Sequence, residues 1–288
     1  MLLDQYLLLS LYGEEILTLL RPPDGYRYVL FISFDLDAES AEIYRGADPN
    51  TLSRGRFSVY RGVYKLLDLL EKYEVHVTFF TPSWVADRYP TLIEEIVSRG
   101  HEIAAHGYLH ERLDQLDLED EENIFKKTNE IFKDIVGQKP LGFRSPYWRW
   151  SKNTVDLLLK YGYRYDSSLM DDEIPYILKH REGHLYEYPV DWRLDDWPYL
   201  EYYRSLTPRQ LLEQWLEEIR YAENNTGYVS ITMHPQCIGR GARIKVLEKL
   251  LEHARRTGAW IPRGKDLADY LEKLSEEREV IVHQYVEY

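Results

Sequence analysis

The chain has 288 residues, enough to bury a large core, and its 44% hydrophobic content excludes a disordered protein. Its 49 acidic and 36 basic residues leave a net charge of −13, which disfavours nucleic acid and anionic membranes as partners. The single cysteine, Cys237, excludes a disulfide framework and any cysteine-based zinc knuckle, so a metal here would need histidine and carboxylate ligands.

Residues 1–27 are apolar in patches but lack a basic start and are broken by Asp4, Glu14 and Glu15. They read as an amphipathic helical extension rather than a signal peptide. No run reaches the ~20 apolar residues that span a bilayer. The expected location is therefore the cytoplasm, whose reducing conditions suit a chain with one thiol.

YVLFISFDLD (28–37) predicts a buried strand, and apolar spacing predicts a helix over 58–73. VHVTFFTP (75–82) is the next strand, followed by a helix over 90–99 that opens at Pro90. HEIAAH (101–106) is a third strand. A charged helix over 118–136 stops at Gly137, with Pro140 beyond. Further strands are expected at 141–147, 163–168, 185–192, 228–235 and 259–263. Helices fill 151–160, 207–223, 241–256 and 264–275, and the stretches 38–57 and 193–206 read as loops. This alternation predicts parallel βαβ units. We expect one catalytic domain over 28–276, an irregular α/β barrel of seven or eight βα units, with a doubly wound open sheet as the alternative. The tail, 277–288, alternates like an edge strand and is a potential oligomer contact.

In a parallel barrel, chemistry collects at the C-terminal ends of the strands. Asp35 and Asp37, two apart on a strand, point to one face, with Phe34 and Leu36 on the other. Two carboxylates there are costly unless paired or metal-bound; the blander reading has them cap the next loop. His106 and His110, at i and i+4, would share one helical face and grip one ion. HxxxH alone is weak, but beside a strand-end aspartate it completes a two-histidine, one-carboxylate zinc set. Arg144 would orient Asp35 and keep it ionised, or else form a surface ion pair. His234 is either a core histidine or a general acid held by an aspartate from Asp191, Asp195 or Asp196. His76, His101, His180, His184 and His253 read as structural or solvated. Trp148, Trp150, Trp192 and Trp197 cluster near the same rim and suit an aromatic pocket.

The order of SFDLD, HGYLH, FRSPYW, DWRLDDW and ITMHP resembles the polysaccharide deacetylases, the NodB-type fold of carbohydrate esterase family four, over roughly 28–272. Two positions depart from the common pattern: Leu36 separates the aspartates, and Gly107 follows the first histidine where Ser or Thr is usual. With SRG at 53–55, these variants resemble the branch of peptidoglycan-deacetylase homologues, allantoinase-like proteins and cyclic imidases, which includes multi-subunit assemblies. A homo-oligomer, dimer or tetramer, is expected on that ground.

Resemblance and strand-end placement together assign Asp37, His106 and His110 to a divalent metal, with zinc the default. They make Asp35 the general base, Arg144 its orienting cation and His234 the general acid. Tyr147, Trp148, Trp192 and Asp195 are the expected substrate contacts. The expected reaction is metal-dependent hydrolysis of a non-peptide carbon–nitrogen amide bond. The substrate is a small cyclic amide or imide, or alternatively an N-acetylated sugar of a peptidoglycan- or chitin-type oligosaccharide. A metal-retaining binding protein without catalysis is the third reading.

Overall fold

A computed structural model describes residues 19–277 and 279–286. Most of the expected N-terminal extension, residues 1–18, lies outside the described residues. No helix among the described residues is long and apolar enough to cross a membrane.

Among the described residues, ten strands form one sheet: β1 (Tyr28–Asp35), β2 (Thr78–Thr81), β3 (Glu102–Ala105), β4 (Gly142–Phe143), β5 (Tyr165–Asp166), β6 (Tyr176–His180), β7 (Gly183–Glu187), β8 (Tyr228–Met233), β9 (Ala259–Trp260) and β10 (Ile281–Gln284). The spatial order is β10-β6-β7-β5-β4-β3-β2-β1-β8, with β9 on β1. The run from β8 through β1 to β5 and β7 is parallel throughout. Among the described residues, strand pairing does not close the ring between β7 and β8. The chain leaving β7 crosses that gap and touches β8 through a single parallel bridge, Asp195 to Thr232. The sheet curls as an irregular barrel, as expected for an α/β chain of this length.

The periodicity of β1 sorts its side chains. Tyr28, Leu30, Ile32, Phe34 and Leu36 pack outward against the helices. Val29 and Phe31 pack inward with Phe80, Tyr165 and Tyr188. Phe31 meets Tyr188 edge-on at 5.3 Å, and Tyr188 stacks on Tyr165 at 4.7 Å, so the lower barrel is filled by aromatic rings. Above this plug the inward positions turn polar, at Ser33 and then Asp35, and the site begins there.

Local signals set the helix limits. Helix Leu118–Val136 starts where the Asp117 side chain accepts the Asp120 N–H, and it ends at Gly137 with φ 83°. Helix Pro208–Asn224 starts with a capping box of Thr207 and Gln210.

Three expectations change. The expected loop 38–57 holds two helices, Ser40–Tyr44 and Pro49–Phe57; the second runs through a π turn, Ser58–Gly62, into Val63–Lys72. Its polar sequence hides the helical period, because it faces the site rather than the core. Strands 141–147 and 163–168 shrink to two residues each, because the chain turns inward to the site immediately after them. β6 was not foreseen; it pairs antiparallel with β7 and carries β10 on its other edge.

Candidate active site

The strand ends bring nine of the ten expected residues to one pocket: Asp35, Asp37, His106, His110, Tyr147, Trp148, Trp192, Asp195 and His234. The tenth, Arg144, lies fully buried behind Asp35.

His106 follows β3 and is fully buried. Its Nδ1 sits 2.7 Å from the Arg144 carbonyl oxygen. Nδ1 must donate there, which leaves the Nε2 lone pair free. That Nε2 is 3.6 Å from Asp37 Oδ1, and His110 Nε2 is 3.7 Å from the same oxygen. Asp37 Oδ1 and His106 Nε2 are both buried without a hydrogen-bond partner. Two orphaned acceptors facing each other are costly unless a cation lies between them. The three ligand atoms lie within 4.8 Å of one another, so the residues present fit a divalent ion. Burial, helped by the charges of Arg45 and His234, pushes the His110 imidazole well below its ordinary range, which keeps it a neutral ligand.

The two histidines do not share a helical face. HGYLH is a loop, in which Gly107 and His110 both take left-handed φ values, 72° and 62°. Glu111 holds it by accepting the Tyr108 and Leu109 N–H groups at 3.0 and 2.7 Å. Gly107 is required on two counts. Its φ disfavours a side chain, and a Cβ would lie 2.9 Å from Glu111 Oε2 and 3.1 Å from Pro146 Cγ.

Asp35 accepts from Arg144 Nη1 at 2.7 Å. Arg144 also donates to Ser33 Oγ, the Ser167 carbonyl and Ser167 Oγ, and lies 4.0 Å over the Phe80 ring. It is therefore a buried clamp and not a surface ion pair. Burial opposes the charge on Asp35, but Arg144, with His234 behind it, holds the carboxyl below its usual range.

His234 ends β8. Its Nδ1 is 2.8 Å from Asp196 Oδ1, and its backbone N–H also donates to that carboxylate. Its Nε2 faces Asp37 Oδ2 at 3.7 Å and Asp35 Oδ2 at 4.0 Å. Burial opposes protonation of His234, but Asp195 and Asp196 raise it well above the ordinary imidazole range. Of the three aspartates left open by the sequence, Asp196 makes this contact and is fully buried. Asp191 instead pairs with Arg193 at 2.7 Å outside the pocket. Asp195 lines the pocket and accepts the Trp197 N–H at 2.8 Å; burial pushes its carboxyl up to about 7.

Trp148 stacks on Trp192 at 4.4 Å and forms one pocket wall. Among the described residues, six non-glycine positions have positive φ, and four of them, Ala38, His110, Tyr147 and Trp148, line this pocket. Backbone strain concentrates where the chain must aim side chains into the site. Cys237 is buried beside Asp196 and faces no activating base, since burial pushes its thiol well up.

Sequence reasoning missed a rim of charge. Arg54 links Glu42 (2.9 Å) to Glu201 (3.4 Å) and lies 4.9 Å over the Trp197 ring. Arg45 also reaches Glu42, at 2.7 Å. The only signal was SRG at 53–55. A Cβ on Gly55 would lie 2.2 Å from the Ala38 carbonyl oxygen, so this glycine lets the helix press against the first strand's turn and place Arg54 at the pocket.

Residues 60–165, which include His106, His110 and Arg144, match the polysaccharide deacetylase family model. The chain is 30% identical over 277 residues to a peptidoglycan deacetylase of Helicobacter pylori, covering 83% of this chain and 94% of that protein. It superposes with a TM-score of 0.82 on a putative polysaccharide deacetylase from Mycobacterium smegmatis, at 32% identity, over 90% of this chain and 94% of the other. A Puue allantoinase structure also reaches a TM-score of 0.82, over 91% of this chain and 95% of that one, but at 23% identity it supports the fold alone. Buried His106 and His110 beside Asp37, the Arg144–Asp35 clamp and a near-full-length match at 30% identity lead to one conclusion: the chain belongs to the polysaccharide deacetylase family, hydrolases of non-peptide carbon–nitrogen bonds.

Proposed function

We propose that this protein hydrolyses a small amide, with a cyclic amide or imide as its preferred substrate. The observation that carries this reading is the Arg54 bridge. Arg54 joins Glu42, from the segment after the first strand, to Glu201, from the segment after Trp197; Glu42 is buried and the Glu201 side chain is 9% exposed. A pocket whose rim is tied across two segments in this way suits a compact substrate better than a polymer threaded across a groove.

Asp37, His106 and His110 would hold the cation, with zinc favoured by the ligand set. When bound, a divalent cation polarises the scissile carbonyl and acidifies the attacking water. Asp35, kept ionised by Arg144, takes a proton from that water as its oxygen bonds to the carbonyl carbon. The tetrahedral centre collapses, the carbon–nitrogen bond breaks, and protonated His234 delivers its proton to the departing nitrogen. The products are a carboxylate and an amine or amide. Asp196 holds the imidazole so that Nε2 faces the reacting centre, and Trp148, Trp192, Tyr147 and Asp195 bound the substrate.

N-deacetylation of an N-acetylated sugar is the second reading, favoured by the near-full-length similarity to a peptidoglycan deacetylase. It uses the same residues, with acetate as the product. Succinimide and a chitooligosaccharide offered in parallel to the zinc-loaded protein separate the two. Ring opening without acetate release is the expected result, and acetate release alone would overturn the preference.

A further inference from the structure

We infer that Arg45 and Arg54 form an anion-recognising wall, so that the preferred amide carries a carboxylate. This rests on the hydrolase reading of the same pocket. Both guanidinium groups line the pocket that the metal-ligand set opens into. Few carboxylates meet them at hydrogen-bonding distance. Glu42 is shared between Arg45 (2.7 Å) and Arg54 (2.9 Å). Glu201 is already bound tightly by Arg243 and meets Arg54 only at 3.4 Å. Three guanidinium groups thus share two hydrogen-bonded carboxylates, with Asp37 acting on Arg45 and Asp196 on Arg243 at longer range.

The donors outnumber these acceptors. A guanidinium offers five N–H groups. Arg54 uses one on Glu42 and one, at long range, on Glu201, while its Nε is buried without an acceptor. Arg45 uses one on Glu42 and one on Tyr147 Oη at 3.3 Å, and its side chain stays 44% exposed. The carboxylates of the opposite wall already have partners: Asp35 has Arg144, Asp37 faces His106, His110 and His234, and Asp195 has the Trp197 N–H and His234. The unused guanidinium donors on the pocket wall therefore point to an incoming anion. A carboxylate matches the planar fork of a guanidinium through paired hydrogen bonds. The substrate class is an amide or cyclic amide with a carboxylate on the side away from the scissile bond.

The test reads binding first. Titration calorimetry compares succinate with propionate on the zinc-loaded protein, since the two differ by one carboxylate. Succinate is expected to bind at least about tenfold more tightly, as charged hydrogen bonds warrant. Arg54→Gln and Arg45→Gln should each bring that ratio towards one, and Arg54→Lys should restore part of it. Arg45 is the more exposed of the two, so its variant serves if Arg54→Gln does not fold. A ratio near one in the unaltered protein, or an undiminished ratio in the folded variants, overturns the inference. A kinetic arm compares dihydroorotate with dihydrouracil, cyclic amides that again differ by one carboxylate. Equal kcat/KM for the two rings would refute the anion wall and leave the hydrolase reading standing. Succinate preference with neither ring opened would refute cyclic-amide hydrolysis and leave the wall standing.

Discussion

Replacing Arg144 by methionine tests the clamp at the centre of the site. Arg144 and Asp35 are both buried, at 0% and 3% exposure, and meet at 2.7 Å. Removing one partner of such a pair strands the other charge, at a cost of about 3–5 kcal/mol. Three further hydrogen bonds, to Ser33 and Ser167, go with it. For a chain of this length that cost corresponds to a fall in Tm of roughly 5–8 °C. The loss depends on pH with a definite sign. In the unaltered protein Asp35 is held below its ordinary range, so its contribution is present above about pH 3.9 and is lost as pH falls through the folded value. In Arg144→Met burial acts without the guanidinium and pushes the carboxyl up. The variant's deficit is then largest at pH 8 and shrinks as the solution is acidified and Asp35 becomes neutral. Calorimetric melting of both proteins in chelator, at pH 8 and pH 5, measures it. A loss below about 1 kcal/mol that is the same at both pH values would refute the claim that Asp35 depends on Arg144.

Asp35→Asn should keep its metal, read by elemental analysis, while turnover falls at least ~100-fold, the usual worth of a general base; unchanged turnover would remove Asp35 from that role. Asp196→Asn removes a carboxylate that raises His234, so the alkaline limb of the kcat profile should move to lower pH and the rate should fall about 100-fold. An unmoved limb would show that His234 is not the acid, or that Asp195 alone supports it. At the tail, His283 stacks on Tyr176 at 4.1 Å and lies 3.0 Å from Asp172. Asp171 and Asp172 raise it to about 9. The stability it adds is therefore full below about pH 6.5 and is lost as pH rises through 9. His283→Gln should lower Tm more at pH 6 than at pH 9.5, and equal losses would place the effect in packing.

The sequence by itself determined the strand-end chemistry. Asp35, Asp37, His106, His110, Arg144 and His234 are legible because buried strands are apolar and a polar residue at their ends stands out. The two-residue period of β1 also placed both aspartates on the inner face and Phe34 and Leu36 on the outer. The helix Leu118–Val136 was legible from its caps and its period. Other features needed the fold. HxxxH spacing implied a helix, yet Gly107 and His110 adopt left-handed backbone, and tertiary contacts with Pro146 and Glu111 settle that conformation. Asp191, Asp195 and Asp196 are equivalent in sequence; only the bridge from Asp195 to β8 decides which carboxylate meets His234. Arg45 and Arg54 left no periodic trace, because one caps a short helix and the other sits on a polar one, and Arg54's partner Glu201 lies 147 residues away in the chain. Sequence patterns report what each segment buries, whereas the pocket rim is made of what distant segments leave facing one another.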